Sequence, residues 1–376
     1  MKKVYLQADN MVSSLGLTTR EHWVNLVAGK SGIKETSHKR IGSVWVSEVD
    51  NHNLEKAFLK YEIPEKATRL ERMAAYSIKE ALEGSNLDLK DPTTGFIFST
   101  TKGNVDFLKT REALNELDSS LALHSTAKKI WSMCGGGNQN PVVVCNACIS
   151  GLMAIIIGGR LIRQGVYDRV VVCGADEISD FVLTGFNALK ALGSSACKPF
   201  DAKRDGISLG EGCATVVLTR DANFEGIEYV DGAVSNDANH ISGPSRTASG
   251  LLQVVEQIWD GTEPIDFISA HGTATIYNDA MEAQGFNRLG MEDVPLNSFK
   301  GFWGHTLGAA GLLETIAAVQ SMKEDLLIKS LGFDELEDAF PVSVLKSNRM
   351  TEVNQIFKTS SGFGGCNAGA IFKKND

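Results

Sequence analysis

The chain has 376 residues, of which 43% are hydrophobic and 22% are charged, and its formal net charge is −9. This length predicts one large or two fused α/β domains, and the negative charge gives no general attraction to nucleic acid or to an anionic membrane. Seven cysteines without small-domain spacing argue against a disulfide scaffold. No secretory signal or membrane-spanning run is predicted, so we expect a cytoplasmic protein.

Strands and helices alternate in the first third of the sequence. A strand is predicted near residues 4–6, and Thr18 with Glu21 predicts a capped helix that ends by Gly29. The stretch 66–83 is amphipathic with a helical period. The remaining elements are one or two strands within 40–49, a central strand over 94–99 and a mainly helical stretch over 105–131.

A strand, a tight turn, a helix and a second strand follow in the stretch 141–174. The β-branched run 142–144 predicts a buried strand, 149–164 a small-residue helix and 169–174 another buried strand. This is a βαβ unit of a parallel sheet. Cys148 lies in the turn, where a helix N-terminus favours a thiolate. A cysteine at such a place is also a common core residue, and this stretch alone leaves both interpretations open.

The same order of elements begins again after about residue 221. Before that point come a helix over 181–192, a polar loop over 193–206 and a strand over 214–219. After it come strands over 226–234, 265–270 and 295–299, helices over 250–259, 279–289 and 308–323, and a final strand pair over 355–360 and 369–373. We therefore predict a structural duplication, with one half over 1–220 that carries the cysteine and another over 221–376.

Sites in doubly wound sheets collect at the carboxyl ends of strands, and four strand ends carry unusual residues. Two of them hold His271 and His305, each close to a glycine that lets a substrate approach. Four other histidines are expected at the surface: His22, His38, His52 and His124. Three cysteines on apolar strands are expected in the core: Cys145, Cys173 and Cys213. A cysteine and two histidines at matching turns indicate a shared site.

Three chemistries are compatible with this set. One is a Cys-His protease pair, which needs a third group to orient the base. Another is a zinc site formed by Cys148, His271, His305 and Asp279, although no two of these residues are paired locally as zinc ligands usually are. In the third, Cys148 carries an acyl thioester, and two neutral imidazoles donate N–H bonds to the carbonyl of a second substrate as it loses carbon dioxide.

Four motifs resemble those of the β-ketoacyl-acyl-carrier-protein synthases, in the family's order. They are NACISG at 146–151, HGTAT at 271–275, KGFWGHTLGAAG at 300–311 and GFGGCN at 362–367. The likeness is strongest to the elongating, Cys-His-His branch. It implies a thiolase-like α/β fold, with two pseudo-twofold-related halves in an αβαβα five-layer arrangement. It also implies an acyltransferase of fatty acid, polyketide or polyene synthesis.

The resemblance implies a role for each matching catalytic residue. Cys148 is the expected nucleophile, and His271 and His305 are the expected decarboxylation pair. Lys300 matches the family's lysine before the second histidine, and Glu314 matches its acidic partner. A cation at Lys300 would keep the histidines neutral.

Further positions are implied around the substrate. The N–H groups of Cys148 and Phe363 are expected to form an oxyanion hole, with Phe363 as the gating aromatic. Substrate contacts are expected from Thr273, Thr275 and Gly364. No metal and no resident cofactor are implied, because phosphopantetheine arrives on the acyl carrier protein.

The implied partners are the acyl carrier protein and a second synthase-like chain, in a homodimer or a heterodimer. Atypical residues beside the nucleophile, namely Cys145, Asn146 and Ile149, leave the acyl chain length and the type of dimer open. Two other functions also stay open. One is a non-catalytic subunit that sets chain length in a heterodimer, and the other is a thiolase or a starter-unit synthase.

Overall fold

The computed structural model describes residues 2–110, 121–221, 224, 226–336 and 339–375. The helices in these ranges are α1 (Thr19–Val27), α2 (Asn51–Lys60), α3 (Arg69–Ala81), α4 (Leu123–Met133), α5 (Ser150–Arg163), α6 (Asp180–Ala188), α7 (Ser249–Ile258), α8 (Ile276–Arg288), α9 (Lys300–Trp303) and α10 (Ala310–Lys323). Two 3-10 helices span Val105–Thr110 and Leu307–Ala309. None of the described helices is long and apolar enough to cross a bilayer.

The strands of the described ranges fall into one large sheet and two small ones. They are β1 (Tyr5–Val12), β2 (Lys34–His38), β3 (Gly42–Ser47), β4 (Thr94–Ser99), β5 (Val142–Val144), β6 (Arg169–Asp176), β7 (Leu209–Gly210), β8 (Gly212–Thr219), β9 (Ile227–Asn236), β10 (Phe267–Ser269), β11 (Leu296–Asn297), β12 (Leu326–Leu327), β13 (Arg349–Met350), β14 (Gln355–Gly362) and β15 (Cys366–Lys374). The small sheets are β2-β3-β7 and β12-β13.

The large sheet repeats one topology twice. Its strand order is β11-β10-β14-β15-β9-β1-β8-β6-β4-β5. Each half contributes five strands, which can be numbered 1 to 5 in chain order. From the centre of the sheet outward, the order is 1-5-4-2-3 in both halves. The corresponding neighbours are parallel or antiparallel in the same way in the two halves. The halves join where Tyr5 and Leu6 of β1 pair with Glu228 and Ile227 of β9. The predicted restart of the pattern is therefore present as a repeated strand order, and we keep the division near residue 221 as a proposal.

Helices α5 and α10 form the middle layer between the two halves of the sheet. Each contacts strands of both halves, while α3 covers the outer face of the first half and α7 that of the second. The two central helices meet at glycines, since a Cβ added to Gly151 would lie 2.9 Å from the Gly308 carbonyl oxygen. The expected αβαβα layering is thus confirmed.

Most predicted elements exist, with shifted ends. The strands β4 and β5 lie where they were predicted, and α3 begins with a full capping box between Thr68 and Glu71. Helix α2 was not predicted, although Asp50 caps its N-terminus and its buried residues Leu54 and Phe58 have helical spacing. The predicted helical stretch 105–131 includes residues 111–120, which lie outside the described residues.

Three expectations about burial were wrong. The predicted buried strand over 142–144 is β5, in which Val142 and Val143 are only half-buried because β5 lies at the edge of the large sheet. His22 is fully buried: its Nε2 lies 2.6 Å from Ser13 Oγ, and its ring meets the edge of Trp303. The inner face of α1 packs on α10, which places this histidine in the interior. Cys145 is exposed, because it follows β5, the last strand at one edge of the large sheet.

Candidate active site

Cys148 lies in a tight turn between β5 and α5. The Asn146 N–H donates to Ser150 Oγ at 2.8 Å, and that hydroxyl donates to the Ala147 carbonyl at 2.6 Å. Ala147 has a φ of 45°, a left-handed conformation that is costly for alanine. The turn thereby places Cys148, which is 7% exposed, directly before the N-terminus of α5.

Burial dominates the electrostatics of this thiol. It raises the pKa of Cys148 to about 12, although the ammonium groups of Lys102 and Lys300 lower it. The expectation that the helix N-terminus favours a thiolate is therefore outweighed by desolvation. The side chain of Cys148 is therefore a thiol at neutral pH.

Two carboxylates of α8 hold the loop that presents His271. The N–H groups of His271 and Gly272 donate to Glu282 at 2.8 and 2.7 Å. Asp279 accepts the N–H groups of Thr273 and Ala274 at 2.8 and 3.1 Å. The sequence alone indicated no chemical role for Asp279 other than that of a possible zinc ligand, and none for Glu282. Because Asp279 is engaged with the backbone, the zinc hypothesis loses its acidic ligand.

The two imidazoles form an edge-to-face pair. Their ring centroids are 5.3 Å apart with an interplanar angle of 82°. Lys300 Nζ lies 3.3 Å from His271 Nδ1, and the Leu307 N–H donates to His305 Nδ1 at 3.3 Å. Since each Nδ1 accepts, each Nε2 carries the ring proton. The His305 Nε2 is buried with no hydrogen-bond partner among the described residues.

Both histidines are held in the neutral form. Burial is the first cause that lowers the pKa of His271 and of His305 well below the ordinary value, and the Lys300 ammonium lowers both further. The predicted effect of a cation at Lys300 therefore agrees with the structure. The pair offers neutral N–H donors in a site that excludes water.

Lys300 belongs to a fully buried ionic cluster. Its Nζ lies 2.5 Å from Glu314 Oε1, as the predicted pairing requires, and it also donates to the His271 carbonyl. Lys358 binds the other oxygen, Glu314 Oε2, at 2.7 Å. Sequence reasoning missed Lys358. A signal was present, because a lysine within the buried strand β14 is unusual unless it is paired.

The β14–β15 hairpin brings Phe363 against the nucleophile turn. A Cβ added to Gly362 would lie 3.1 Å from the Cys148 backbone nitrogen, so the two backbones are in contact. The Phe363 ring stacks on Phe186 of α6 with centroids 5.5 Å apart. Gly364 has a φ of 87°, which glycine adopts readily at this turn.

The comparisons with known proteins agree with this arrangement of site residues. Residues 1–223 match the protein-family model described as "Beta-ketoacyl synthase, N-terminal domain". Residues 227–334 match the family model described as "Beta-ketoacyl synthase, C-terminal domain". The chain belongs to the beta-ketoacyl synthase family. It is 28% identical over 415 aligned residues to 3-oxoacyl-[acyl-carrier-protein] synthase 2 of Vibrio cholerae, with 99% of each chain covered.

Two further proteins similar to this beta-ketoacyl synthase are named as a ketoacyl synthase subunit and a ketosynthase. The tetracenomycin polyketide synthase ketoacyl synthase alpha subunit of Streptomyces glaucescens is 33% identical over 261 residues, which cover 63% of this chain and 61% of that relative. A solved ketosynthase in complex with its chain length factor, from Xenorhabdus doucetiae, superposes with a TM-score of 0.82 at 26% identity. That match covers 100% of this chain and 98% of the other.

The other expected substrate contacts of the synthase lie in two places, the loop after His271 and the β14–β15 hairpin. The hydroxyl oxygens of Thr273 and Thr275 are 2.8 Å apart at the start of α8. Thr273 is buried, directly after the His271 turn, and the Gly364 N–H donates to the Ile241 carbonyl at the hairpin. These placements leave their substrate roles as predictions.

A second unpredicted residue of the synthase site is Asp176, at the end of β6. Its carboxylate accepts the Gly308 N–H at 2.7 Å and the Thr101 N–H and hydroxyl at 2.9 Å each. It thereby fixes the turn after His305 to the end of β4. The sequence signal was an acid at the carboxyl end of an apolar strand, which is where sites collect.

Proposed function

We propose that this protein is a 3-oxoacyl-[acyl-carrier-protein] synthase that performs a decarboxylative condensation. It takes an acyl group from its carrier onto Cys148 and joins it to the malonyl group of a second carrier. The observation that supports this best is the orientation of the imidazoles of His271 and His305. Each Nδ1 accepts a hydrogen bond, so each Nε2–H can donate to one substrate oxygen.

The first half-reaction transfers the acyl group. The Cys148 sulfur attacks the thioester carbonyl while its proton passes to the sulfur of the departing carrier. A new S–C bond forms as the old one breaks, and the negative charge gathers briefly on the carbonyl oxygen. The backbone N–H groups of Cys148 and Phe363 stabilise that oxygen. Because burial raises the pKa of the thiol, its proton leaves during the attack and not before it.

The second half-reaction makes the carbanion. The bond between the malonyl carboxylate and its α-carbon breaks, carbon dioxide leaves, and the electron pair moves toward the thioester oxygen. The Nε2–H groups of His271 and His305 stabilise this enolate. Its carbon then attacks the acyl thioester, and the sulfur of Cys148 leaves as a thiolate. Neutral donors suit this step, because they need not give up a proton.

The proposed partners are an acyl carrier protein and a second synthase-like chain. The name of the Vibrio relative specifies an acyl carrier protein, and the Xenorhabdus ketosynthase was solved with a chain length factor. Both support a carrier-bound substrate and a paired subunit for this chain. Phosphopantetheine is part of the carrier substrate, so the proposal needs no resident cofactor. A cytoplasmic location remains our prediction.

A mass measurement tests the function. The full chain is incubated with an acyl-carrier protein, and we expect one acyl adduct that maps to the peptide containing Cys148. Addition of malonyl-carrier should release carbon dioxide and yield a 3-oxoacyl product. A chain that forms no adduct and releases no carbon dioxide alone, but stimulates a second synthase-like chain, would instead be a non-catalytic subunit.

A further inference from the structure

The ionic cluster beneath His271 contains one more ammonium than an ion pair needs. Lys300 and Lys358 bind opposite oxygens of Glu314, and all three side chains are fully buried. Counted formally, the two ammonium groups and the one carboxylate carry a charge of about +1. Burial lowers the pKa of Lys358, while the carboxylates of Glu314 and Glu282 raise it and so favour the ammonium form. Such a charge is costly to bury, so the second lysine calls for an explanation beyond packing.

Lys358 reaches the histidine pair by two routes. Ser269 and Ala270 lie directly before His271 in the chain. The Lys358 Nζ donates to their carbonyls at 3.1 and 3.4 Å. By occupying one oxygen of Glu314, it also leaves Lys300 able to bind His271 at its carbonyl and at Nδ1. Lys358 therefore supports both the position of the His271 imidazole and the tautomer in which Nε2 carries the proton.

A single lysine would act differently on the imidazoles. Lys300 with Glu314 alone is a neutral pair, whose two fields largely oppose each other at the rings. The Lys358 ammonium leaves an excess of positive charge close to His271 and His305, and a cation disfavours the imidazolium form. In agreement, Lys358 is among the causes that lower the pKa of both histidines.

Other charged groups also face this pair. On α8, the carboxylates of Glu282 and Asp279 bind backbone N–H groups of the His271 loop. Across the middle layer, Lys102 follows β4 and lowers the pKa of His305, and Asp176 ends β6 and holds the turn at Gly308. These groups remain when Lys358 is changed, so a variant at this position isolates the contribution of the cluster.

We propose that Lys358 is a positioning residue for the decarboxylation step: as the second ammonium on Glu314, it frees Lys300 to hold His271 and maintains the net positive charge that keeps both imidazoles neutral. This inference rests on the proposed function and adds to it a residue that touches no reacting atom.

The test compares three variants of the full chain through the pH profile of carbon dioxide release from malonyl-carrier. Lys358→Met makes the cluster neutral, and we expect the acid limb to move up by about one pH unit. Glu314→Gln combined with Lys358→Met restores a net positive charge through Lys300, so the limb should return toward that of the unchanged protein. Glu314→Gln alone should move it slightly down.

A packing role for Lys358 predicts another outcome. The single and double variants would then lose activity equally at every pH, and the acid limb would stay in place. That result would overturn the proposal, as would a double variant that behaves like the single one. Acylation of Cys148, followed by intact mass, serves as the control for folding and should be unchanged in Lys358→Met.

Titration of ring-labelled histidines by NMR needs no substrate and separates the two proposals. Signals of His271 and His305 are assigned with His271→Gln and His305→Gln, and their pKa values should rise in Lys358→Met. If they rise while the unchanged protein releases no carbon dioxide, the electrostatic role stands and the proposed function fails. If they do not rise in a protein that is active, the role assigned to Lys358 fails.

Discussion

The two halves of this synthase share a strand order but carry opposite kinds of chemistry. In the first half, β5 leads through Cys148 into α5, and in the second half β11 leads through His305 toward α10. The equivalent turns even meet through equivalent glycines, Gly151 and Gly308, each three residues beyond the functional side chain.

The difference lies in the charge placed around each turn. The thiol of Cys148 is buried, which raises its pKa, and the following residues Ile149 and Leu152 belong to the main apolar core. The imidazole of His271 lies over the buried cluster of Lys300, Glu314 and Lys358. In the proposed mechanism, one fold repeated twice thus provides a buried thiol to store an acyl group and a charged surrounding in which to stabilise an anion. The two functions should be separable by mutation.

The largest expected effect is that of Cys148→Ala. The variant should form no acyl adduct by intact mass, and condensation should fall by about 10⁴-fold or more, as for the loss of other nucleophiles. Because the histidine half is untouched, carbon dioxide release from malonyl-carrier should persist. An adduct equal to that of the unchanged protein would remove Cys148 from the role of nucleophile.

The converse experiment uses His271→Ala and His305→Ala. Each change removes one donor to the developing oxyanion, so carbon dioxide release should fall by about 10²–10³-fold. Acylation of Cys148 by an acyl-carrier protein should continue in both variants. Normal decarboxylation in both would contradict the division of labour between the halves.

A smaller effect is expected where the halves meet. In Gly311→Ala, the new Cβ would lie 2.5 Å from the Leu152 backbone nitrogen, so α5 and α10 must move apart. We expect a loss of about 3 kcal/mol in the free energy of unfolding, measured by urea denaturation. Gly185→Ala on α6 is the matched control, because no atom lies within 4 Å of its added Cβ. Equal stabilities for the two variants would show that the helices tolerate separation.

The smallest effect concerns His22, a buried histidine in the first half with no role in the reaction. Burial lowers its pKa to about 4, below an unfolded value of about 6.5. Between these values the unfolded chain binds more protons, so stability falls as the pH decreases from 6.5 toward 4. From pH 7 to pH 5 this residue should remove about 2 kcal/mol.

The His22 prediction is checked by urea unfolding at both pH values with His22→Gln as the comparison. The variant should lose about 2 kcal/mol less between pH 7 and pH 5. His271 and His305 contribute with the same sign in both proteins, because their pKa values are also lowered by burial. Equal losses in the two proteins would mean that His22 is not desolvated as the structure indicates.

The sequence predicted the parts of the fold that have strong local patterns. The apolar run of β4 and the amphipathic period of α3 are such signals, and the motifs around Cys148, His271 and His305 placed the main site residues at strand ends. Local patterns were enough because a strand buried on both faces has a continuous apolar run, and a helix buried on one face has apolar residues at helical spacing.

Contacts between distant segments could not be predicted in the same way. Nothing near Lys358 in the sequence indicates that it shares Glu314 with Lys300, and nothing near Asp176 indicates that it binds the Gly308 N–H. Burial of His22 under Trp303 has the same origin. All three features join residues that are far apart in the chain, and two of them cross between the halves, so no local pattern in a single sequence indicates them.

The position of β1 at the centre of the large sheet has a consequence for synthesis on the ribosome. Tyr5 pairs with Thr219 of β8 and with Glu228 of β9, both more than two hundred residues later in the chain. At about 5–20 residues per second, this strand waits about 10–40 s for its neighbours. Its unpaired backbone is a template for wrong partners during that time. The nascent chain is therefore most vulnerable to aggregation before its second half emerges.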